Sequence, residues 1–519
     1  MIMMQTGSKI VTTTQMRQIE EYAINKMGIP SILLMENAAI KTIPHILEQL
    51  GGKGQKNALI LCGPGNNGGD GYAITRLLHV AGVDVCVAAI GGKSDISADA
   101  TLNREIIKNL GIPVYGILTN VSSNEFDLAN LIKSSDIVID AIFGTGLSKA
   151  INDIFYDVVE MANRYAKYIL SVDIPTGVHS DTGHIMGIAI NAQATITYGF
   201  IKPGLLFYPG ASQAGQVFCE DISLPHYIKT DGLNIKMLND CDIPLLLPNR
   251  PPDSHKGTFG HVRVIAGSRD MPGAAALCVM GAYRSGAGLV EACVVEAAAK
   301  AINTHMPEAV TRVVPDINGM YMPESLRDIE ALPDVLLIGP GIGQGEEVKR
   351  FTQKMISESN CKMLIDADSL NNIAGDLSVL AGKDIAITPH PGEMGRLTGL
   401  AVHEITKNPI HAATSFAKTY NITVLLKGPR TVIADPIGNV YINQSGNSAL
   451  AKAGSWDALA GIIAGLAAQG LTLFEACALG AYLHGKAGEE ASKSMSEYSV
   501  TARDVTHNLS AFLLPVYNL

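Results

Sequence analysis

The sequence predicts an α/β protein of two unequal domains, and three observations carry that prediction. Short apolar runs ending in Gly, Asp or Pro alternate with helical patterns, as in a parallel sheet covered on both faces. A ten-residue loop, Cys62-Gly-Pro-Gly-Asn-Asn-Gly-Gly-Asp-Gly71, joins one such run to a helix. The rhythm then breaks in a proline-punctuated stretch and restarts, which marks a domain connection. The expected division is a first domain over 1–225, a linker over 226–252 and a second domain over 253–519.

The first strand is Asn57-Ala-Leu-Ile-Leu-Cys62, and Tyr72-Ala-Ile-Thr-Arg-Leu-Leu78 reads as the helix beyond the loop. A glycine-rich turn between strand and helix lets backbone N–H groups approach an anion, and the helix start adds its dipole. Many such turns hold glycine for steric reasons alone. Asn66, Asn67 and Asp70 in the same ten residues point instead to a ligand. Further strands are expected at Asp84-Val-Cys-Val-Ala-Ala-Ile90, at Ser135-Asp-Ile-Val-Ile-Asp-Ala-Ile-Phe143 and at Tyr168-Ile-Leu-Ser-Val-Asp173. Ligands of such sheets bind at the carboxyl ends of the strands, so chemistry belongs just after Cys62, Ile139 and Val172. Pro225, Pro244, Pro248, Pro251 and Pro252 punctuate the connection. The second domain resumes at His261-Val-Arg-Val-Ile-Ala266 and continues through Val335–Ile338, Lys362–Asp366, Ile385–Ile387 and Ile422–Lys427.

Charged residues make up 17% of the 519 residues and hydrophobic ones 47%, a composition of well-buried domains and not of a disordered chain. The net charge of −10 argues against nonspecific nucleic-acid binding, which needs a basic face. Eight cysteines without CxxC pairs or zinc spacing predict reduced, mostly buried thiols. The start lacks a signal peptide's apolar core. The apolar stretch Ala458–Leu483 is interrupted by Gln469 and Glu475 and reads as packed helices, not a membrane span. The expectation is a cytoplasmic protein with no membrane or nucleic-acid partner.

With the end of the Cys62 strand, two further strand ends carry the candidate chemistry of the first domain. Asp140 closes Ile137-Val-Ile-Asp140, Gly144-Thr-Gly-Leu147 forms a second glycine loop, and Asp173 opens Asp173-Ile-Pro-Thr-Gly177. A strand-terminal Asp is often only a helix cap, but three such ends beside two glycine loops suggest a site. Asn67, Asp140 and Thr176 are hard oxygen donors suited to an alkali or alkaline-earth ion and not to zinc. Asp173 is then the carboxylate available for acid–base work.

These segments resemble the N-terminal domain of the NAD(P)H-hydrate epimerases, a Rossmann-like, three-layer family. The match covers Cys62–Gly71, Asp140-Ala-Ile-Phe-Gly-Thr-Gly-Leu147 and Ser171-Val-Asp-Ile-Pro-Thr-Gly177. The resemblance implies a potassium ion on Asn67, Asp140 and Thr176, with Asp173 catalytic. It implies substrate contacts from Asn66, Asn67, Gly68, Gly69 and Asp70. Others follow from Gly144, Thr145, Gly146 and Leu147, then Ser148, Lys149 and Ala150. The implied reaction interconverts the R and S forms of nicotinamide dinucleotides hydrated at ring carbon 6. Thr176 stands where serine is commoner; both supply a hydroxyl.

In the second domain Ser254-His-Lys-Gly-Thr258 precedes a strand, and Met271-Pro-Gly-Ala274 opens a helix ending near Arg284. Gly339-Pro-Gly-Ile-Gly343 and Thr388-Pro-His-Pro-Gly-Glu393 each follow a strand. His390, between two prolines, has little backbone freedom and is expected to be presented to a ligand; the alternative is a rigid turn whose imidazole caps a neighbouring helix. Lys427-Gly-Pro-Arg-Thr431 offers two cations and a hydroxyl to phosphates, and Gly454-Ser-Trp-Asp457 stands at a helix start. There, N–H groups can stabilise a transferring phosphoryl group while Asp457 takes the proton of the attacking hydroxyl.

Residues from about 240 to 515 resemble the ADP-dependent (in eukaryotes, ATP-dependent) NAD(P)H-hydrate dehydratases, of ribokinase-like fold. The resemblance implies phosphorylation of the carbon-6 hydroxyl of the S hydrate, then loss of phosphate. Substrate contacts carry over to Ala274, Gly341, His390 and Asp457. Nucleotide contacts carry over to Lys427, Gly428, Pro429, Arg430 and Thr431, and to position 456, where Trp456 stands. The implied partners are NADHX, NADPHX and ADP or ATP with magnesium, in a homo-oligomer. One departure stands out: the family's anion hole reads Gly-x-Gly-Asp, and Trp456 occupies its third position. Glycine there permits positive φ and close approach to phosphate. The ring predicts slow or lost dehydration with nucleotide binding retained, unless it swings outward. Two other readings are a ribokinase-like small-molecule kinase fused to a Rossmann-like binding module, and a noncatalytic scaffold like those of mRNA decapping. His390-Pro-Gly-Glu393 and the fusion weigh against the first, and Asn67, Asp140 and Asp173 together against the second.

Overall fold

The computed structural model describes residues 7–51, 56–91, 96–117, 128–225, 234–326 and 333–513. The chain divides into two compact units, one of Lys9–Leu233 and one of Met1–Ser8 with Asn234–Leu519. Residues 226–233 of the expected linker lie outside the described residues. In the rest of that stretch Ile235–Met237 is a strand paired in parallel with Val440–Ile442, and Ile243–Leu246 is a helical turn with Pro244 near its start. A three-residue strand is too short for hydrophobic periodicity to reveal.

The N-terminal unit is built on a seven-stranded sheet, parallel throughout. Its order is Val114–Ile117, Asp84–Ile90, Asn57–Cys62, Ile137–Ala141, Ile169–Val172, Ala194–Tyr198 and Gln216–Glu220. Alternation along the first strand feeds two cores. Ile60 and Cys62 join the layer of Met16, Ile46, Ile74 and Leu78, whereas Leu59 and Leu61 join that of Leu128, Ile132, Val158 and Val159. Strand order reverses beside Asn57–Cys62, which neighbours both Asp84–Ile90 and Ile137–Ala141. A crevice at the carboxyl ends is the geometric consequence.

The helix after the first strand spans Asn66–Val80 and starts six residues earlier than the sequence suggested, at Asn66 instead of Tyr72. The glycines read as a turn form its first turns because the helix presses on the strand ends. A Cβ on Gly68 would stand 2.0 Å from the Gly63 carbonyl oxygen, and one on Gly71 would stand 2.7 Å from the Ala141 Cβ. Close packing therefore accounts for these two glycines, and Gly65 and Asn66 are left to face outward.

In the C-terminal unit, Thr423–Leu426, Ile385–Ile387, Lys362–Ile365, Val335–Ile338, His261–Ile265, Leu289–Val294 and Val310–Val313 run parallel in that spatial order. Val432–Ala434 is antiparallel to both Thr423–Leu426 and Val440–Ile442. The apolar stretch Ala458–Leu483 lies in two helices, Ser455–Ala468 and Leu473–Ser494. Among the described residues no helix is long and apolar enough to cross a membrane. Ser455–Ala468 crosses Pro272–Arg284 at a seam of small residues. A Cβ on Gly461 would lie 2.0 Å from the Cys278 carbonyl oxygen, and one on Gly281 would lie 2.3 Å from that of Ala458.

Candidate functional site

The crevice of the N-terminal unit opens into a cavity of about 500 Å³ where the strand order reverses. Its lining includes Asn66, Asn67, Asp70, Gly144, Thr145, Gly146, Leu147 and Asp173. Gly68 and Gly69 are buried behind it, and Ser148, Lys149 and Ala150 are exposed on the loop beyond.

Asp140 and Thr176 meet directly. The fully buried Asp140 carboxylate accepts hydrogen bonds from the Thr176 N–H (2.9 Å), the Thr176 hydroxyl (2.7 Å), the Ser171 hydroxyl (2.8 Å) and the Ile142 N–H (3.3 Å). Burial pushes its carboxyl up, against the pull of those donors. This network ties the Ile137–Ala141 strand end to the Asp173–Gly177 turn. Asn67 is buried close by, and its Nδ2 has no hydrogen-bond partner among the described residues. Replacing Asp140 by Asn sets an amide against either the Thr176 N–H or the Ile142 N–H, since each carboxylate oxygen accepts from one of them. The expected cost is about 2 kcal/mol, the penalty of a buried donor left unpaired, read as a lower midpoint of urea unfolding.

Asp173 ends the Ile169–Val172 strand with φ +66°, a left-handed conformation that Asp tolerates better than most residues. Its Oδ1 accepts from the Lys202 ammonium (2.7 Å) and the Thr197 hydroxyl (3.2 Å), and its Oδ2 accepts from the Thr145 N–H (3.3 Å). Lys202, Glu20 and Arg17 also line the cavity and were not anticipated from sequence. Burial, and then Asp173, push the carboxyls of Asp70 and Glu20 above the usual range.

Most residues singled out in the C-terminal unit gather at the carboxyl ends of its parallel strands; Ser254–Thr258 does not, since it precedes His261–Ile265 and lies at the amino ends, beside His261, Leu289 and Asp334. The Lys427 ammonium pairs with Asp366, and both are buried. Lys427 is thus turned inward, whereas Pro429 is exposed and Gly428 and Arg430 are half-buried. Arg430 donates to the Gln444 carbonyl, and the buried Thr431 closes the turn onto the Gly428 carbonyl at 3.3 Å. Asp366 Oδ2, Ser369 Oγ and Thr388 Oγ1 are buried with no partner among the described residues. His390 caps its own helix, Pro391–Thr398: its Nδ1 accepts from the Gly392 N–H (3.0 Å), and Glu393 returns a bond to the His390 N–H (2.8 Å). Burial pushes the Glu393 carboxyl up to about 7 and lowers the His390 imidazole. Ala274 and Gly341 abut, with the Ala274 Cβ 2.9 Å from where a Gly341 Cβ would stand.

Asp457 lies in the first turn of Ser455–Ala468, and burial followed by the charge of Asp366 pushes its carboxyl up to about 6. The half-buried Trp456 ring lies beside this site: the Lys427 Nζ is 5.5 Å from its centroid, and the His484 ring stacks on it at 6.3 Å. Burial lowers that imidazole to about 4. Positive φ occurs at Gly454 (+86°), and Trp456 has ordinary helical backbone. The expectation of a positive φ at position 456 is therefore corrected, because the helix has already begun there. What remains of that argument is the bulk of the side chain.

Two α/β units in one chain, each presenting acids at strand or helix ends, define a two-site enzyme of small-molecule metabolism. A family model described as YjeF-related protein N-terminus matches residues 31–204, and one described as NAD(P)H-hydrate dehydratase matches residues 262–510. The bifunctional NAD(P)H-hydrate repair enzyme Nnr of Moorella thermoacetica is 37% identical over 504 residues, covering 96% of this chain and 95% of the relative. That of Escherichia coli K12 is 33% identical over 459 residues, covering 88% and 85%. A solved structure of the ADP/ATP-dependent NAD(P)H-hydrate dehydratase of Bacillus subtilis is 32% identical over 54% of this chain and 98% of its own, with a TM-score of 0.47. The chain belongs to the bifunctional NAD(P)H-hydrate repair enzymes, which join an epimerase domain to a dehydratase domain.

Proposed function

We propose that Asp173 exchanges protons with the substrate in the N-terminal crevice, where R and S hydrates of NADH and NADPH interconvert. The observation that carries this reading is the Asp173 carboxylate lining a 500 Å³ cavity between a glycine loop and a helix start. The helix start at Asn66 and the Gly144–Leu147 loop suit the dinucleotide's pyrophosphate. Asn67, Asp140 and Thr176 suit potassium, since the set offers one carboxylate and neutral oxygens, all buried. A potassium ion bound there supplies positive charge that offsets the buried Asp140.

In the C-terminal unit the substrate is the S hydrate and the phosphoryl donor is ADP or ATP. Asp457 takes the proton of the carbon-6 hydroxyl as its oxygen bonds to the transferred phosphorus, and the nucleotide leaves one phosphate shorter. Breaking the carbon–oxygen bond with loss of a ring proton from carbon 5 then releases phosphate and restores the dihydronicotinamide. The unpartnered Asp366 Oδ2 and the Ser369 and Thr388 hydroxyls support a charged ligand at this place. Magnesium on the nucleotide supplies charge neutralisation for its phosphates.

Separated R and S hydrates, supplied with and without ADP and followed by chromatography, test both halves. Epimerisation without nucleotide is expected; its absence removes the first assignment. A pH profile tests the second. Asp457 accepts a proton only when ionised, so dehydration should rise with pH and reach half its plateau near pH 6. The parent chain's residual turnover is the material for this measurement, with Trp456→Gly alongside, where lessened burial should move the half-plateau lower; a flat profile from pH 5 to 8 in the parent counts against Asp457 as the base.

A further inference from the structure

We propose that Lys202 is the positioning residue of the epimerase site, fixing one oxygen of Asp173 so that the other is the one offered to substrate. This rests on Asp173 being the proton-exchanging group. Lys202 follows the Ala194–Tyr198 strand in the segment Tyr198-Gly-Phe-Ile-Lys-Pro-Gly204, and its side chain is 1% exposed. Its ammonium has three hydrogens and meets three acceptors: Asp173 Oδ1 at 2.7 Å, Thr197 Oγ1 at 2.9 Å and the Tyr198 carbonyl at 2.9 Å. No hydrogen is left over for a ligand, so Lys202 acts on the substrate only through Asp173.

The two oxygens of Asp173 are thereby made unequal. Oδ1 receives two donors, Lys202 and Thr197, from one side. Among the described residues Oδ2 receives only the longer bond from the Thr145 N–H, and it lies 3.0 Å from where a Cβ on Gly144 would stand. Glycine at 144 keeps that space open. Around this pair Glu20 and Asp70 bring two more carboxyls to the cavity, with Lys202 the buried cation among them. Burying an ammonium is costly, and a packing role would be met as well by an uncharged side chain of the same length. An orienting role needs the charge and the three-fold donor geometry together.

Full-length Lys202→Met and Lys202→Arg, with Asp173→Asn alongside, are compared by steady-state epimerisation, hydrate binding stoichiometry and thermal unfolding. Lys202→Met should lower kcat about 100-fold, the scale of a misplaced reacting group, with KM within three-fold and stoichiometry unchanged. Lys202→Arg should recover part of the rate, remaining about 10-fold below the parent, because its planar fork cannot reach the same three acceptors. Parental kcat in Lys202→Met, or a loss carried by KM alone, overturns the proposal. If Lys202→Met does not fold, Lys202→Arg is read instead: parental kcat overturns the proposal, and reduced kcat at parental KM supports it. Should Asp173→Asn still epimerise at the parental rate, the reading of Asp173 fails irrespective of Lys202.

Discussion

Asp173→Asn is expected to lower epimerisation of the R hydrate by about 10²- to 10⁴-fold, the usual contribution of a positioned acid–base group. The substitution is close to isosteric, and Asn tolerates the left-handed backbone at this position. The Asn oxygen can still accept from Lys202 and Thr197, so the turn should keep its shape at the loss of only the 3.3 Å bond from the Thr145 N–H, which the amide cannot accept. What is lost is the ability of the other position, now an amide, to take up a proton. A second readout follows from charge. The negative charge of Asp173 is, after burial, the next cause of the raised carboxyls of Asp70 and Glu20. Both should titrate at lower pH in the variant, as followed by carboxyl carbon chemical shifts. Unchanged epimerisation with correct folding would remove Asp173 from the chemistry.

The other large effect is a gain. Trp456→Gly is expected to raise ADP-dependent recovery of NADH from the S hydrate by about 10²-fold or more, the range associated with restoring a backbone anion site. The half-buried ring sits next to Lys427 and on the imidazole of His484, so it is not turned out to solvent. Its backbone is helical, so glycine is needed there for space and not for an unusual φ. Removing the ring forfeits its contacts with Lys427 and His484 and should destabilise the unit by about 1 to 3 kcal/mol. A variant that is less stable yet faster is the signature of relieved crowding. Recovery of NADH absorbance no faster than in the parent would leave the tryptophan without a steric role.

Much of this architecture is legible in the sequence. Asn57–Cys62, Asp84–Ile90, Val335–Ile338 and Ile385–Ile387 appear with the expected bounds, because a strand buried on both faces is a continuous apolar run bounded by turn residues. Val114–Ile117 and Gln216–Glu220 escaped, as edge strands with half-exposed residues carry no such run. The helix start at Asn66 was hidden because glycine and asparagine read as turn residues, whereas here the helix must lie almost on the sheet. Asp140 and Thr176 could be paired from their places at neighbouring strand ends. Lys202 could not, since Lys-Pro-Gly reads as a surface turn. The one hint was the apolar company of Phe200 and Ile201 just before it.

The seam where Gly281 meets Ala458 and Gly461 meets Cys278 bears on how this half of the chain can adapt. Backbones that touch leave no lubricating layer of side chains, so the Asp457 helix has no room to retreat toward its neighbour. Its mounting is stiff. A bulky group arriving at the phosphoryl end must be accommodated on the side away from that seam, where the Lys427–Thr431 turn lies, or else exclude the ligand. Changes that compensate for a large residue at 456 should therefore accumulate in that turn and around His484, while the contact between the two helices stays frozen.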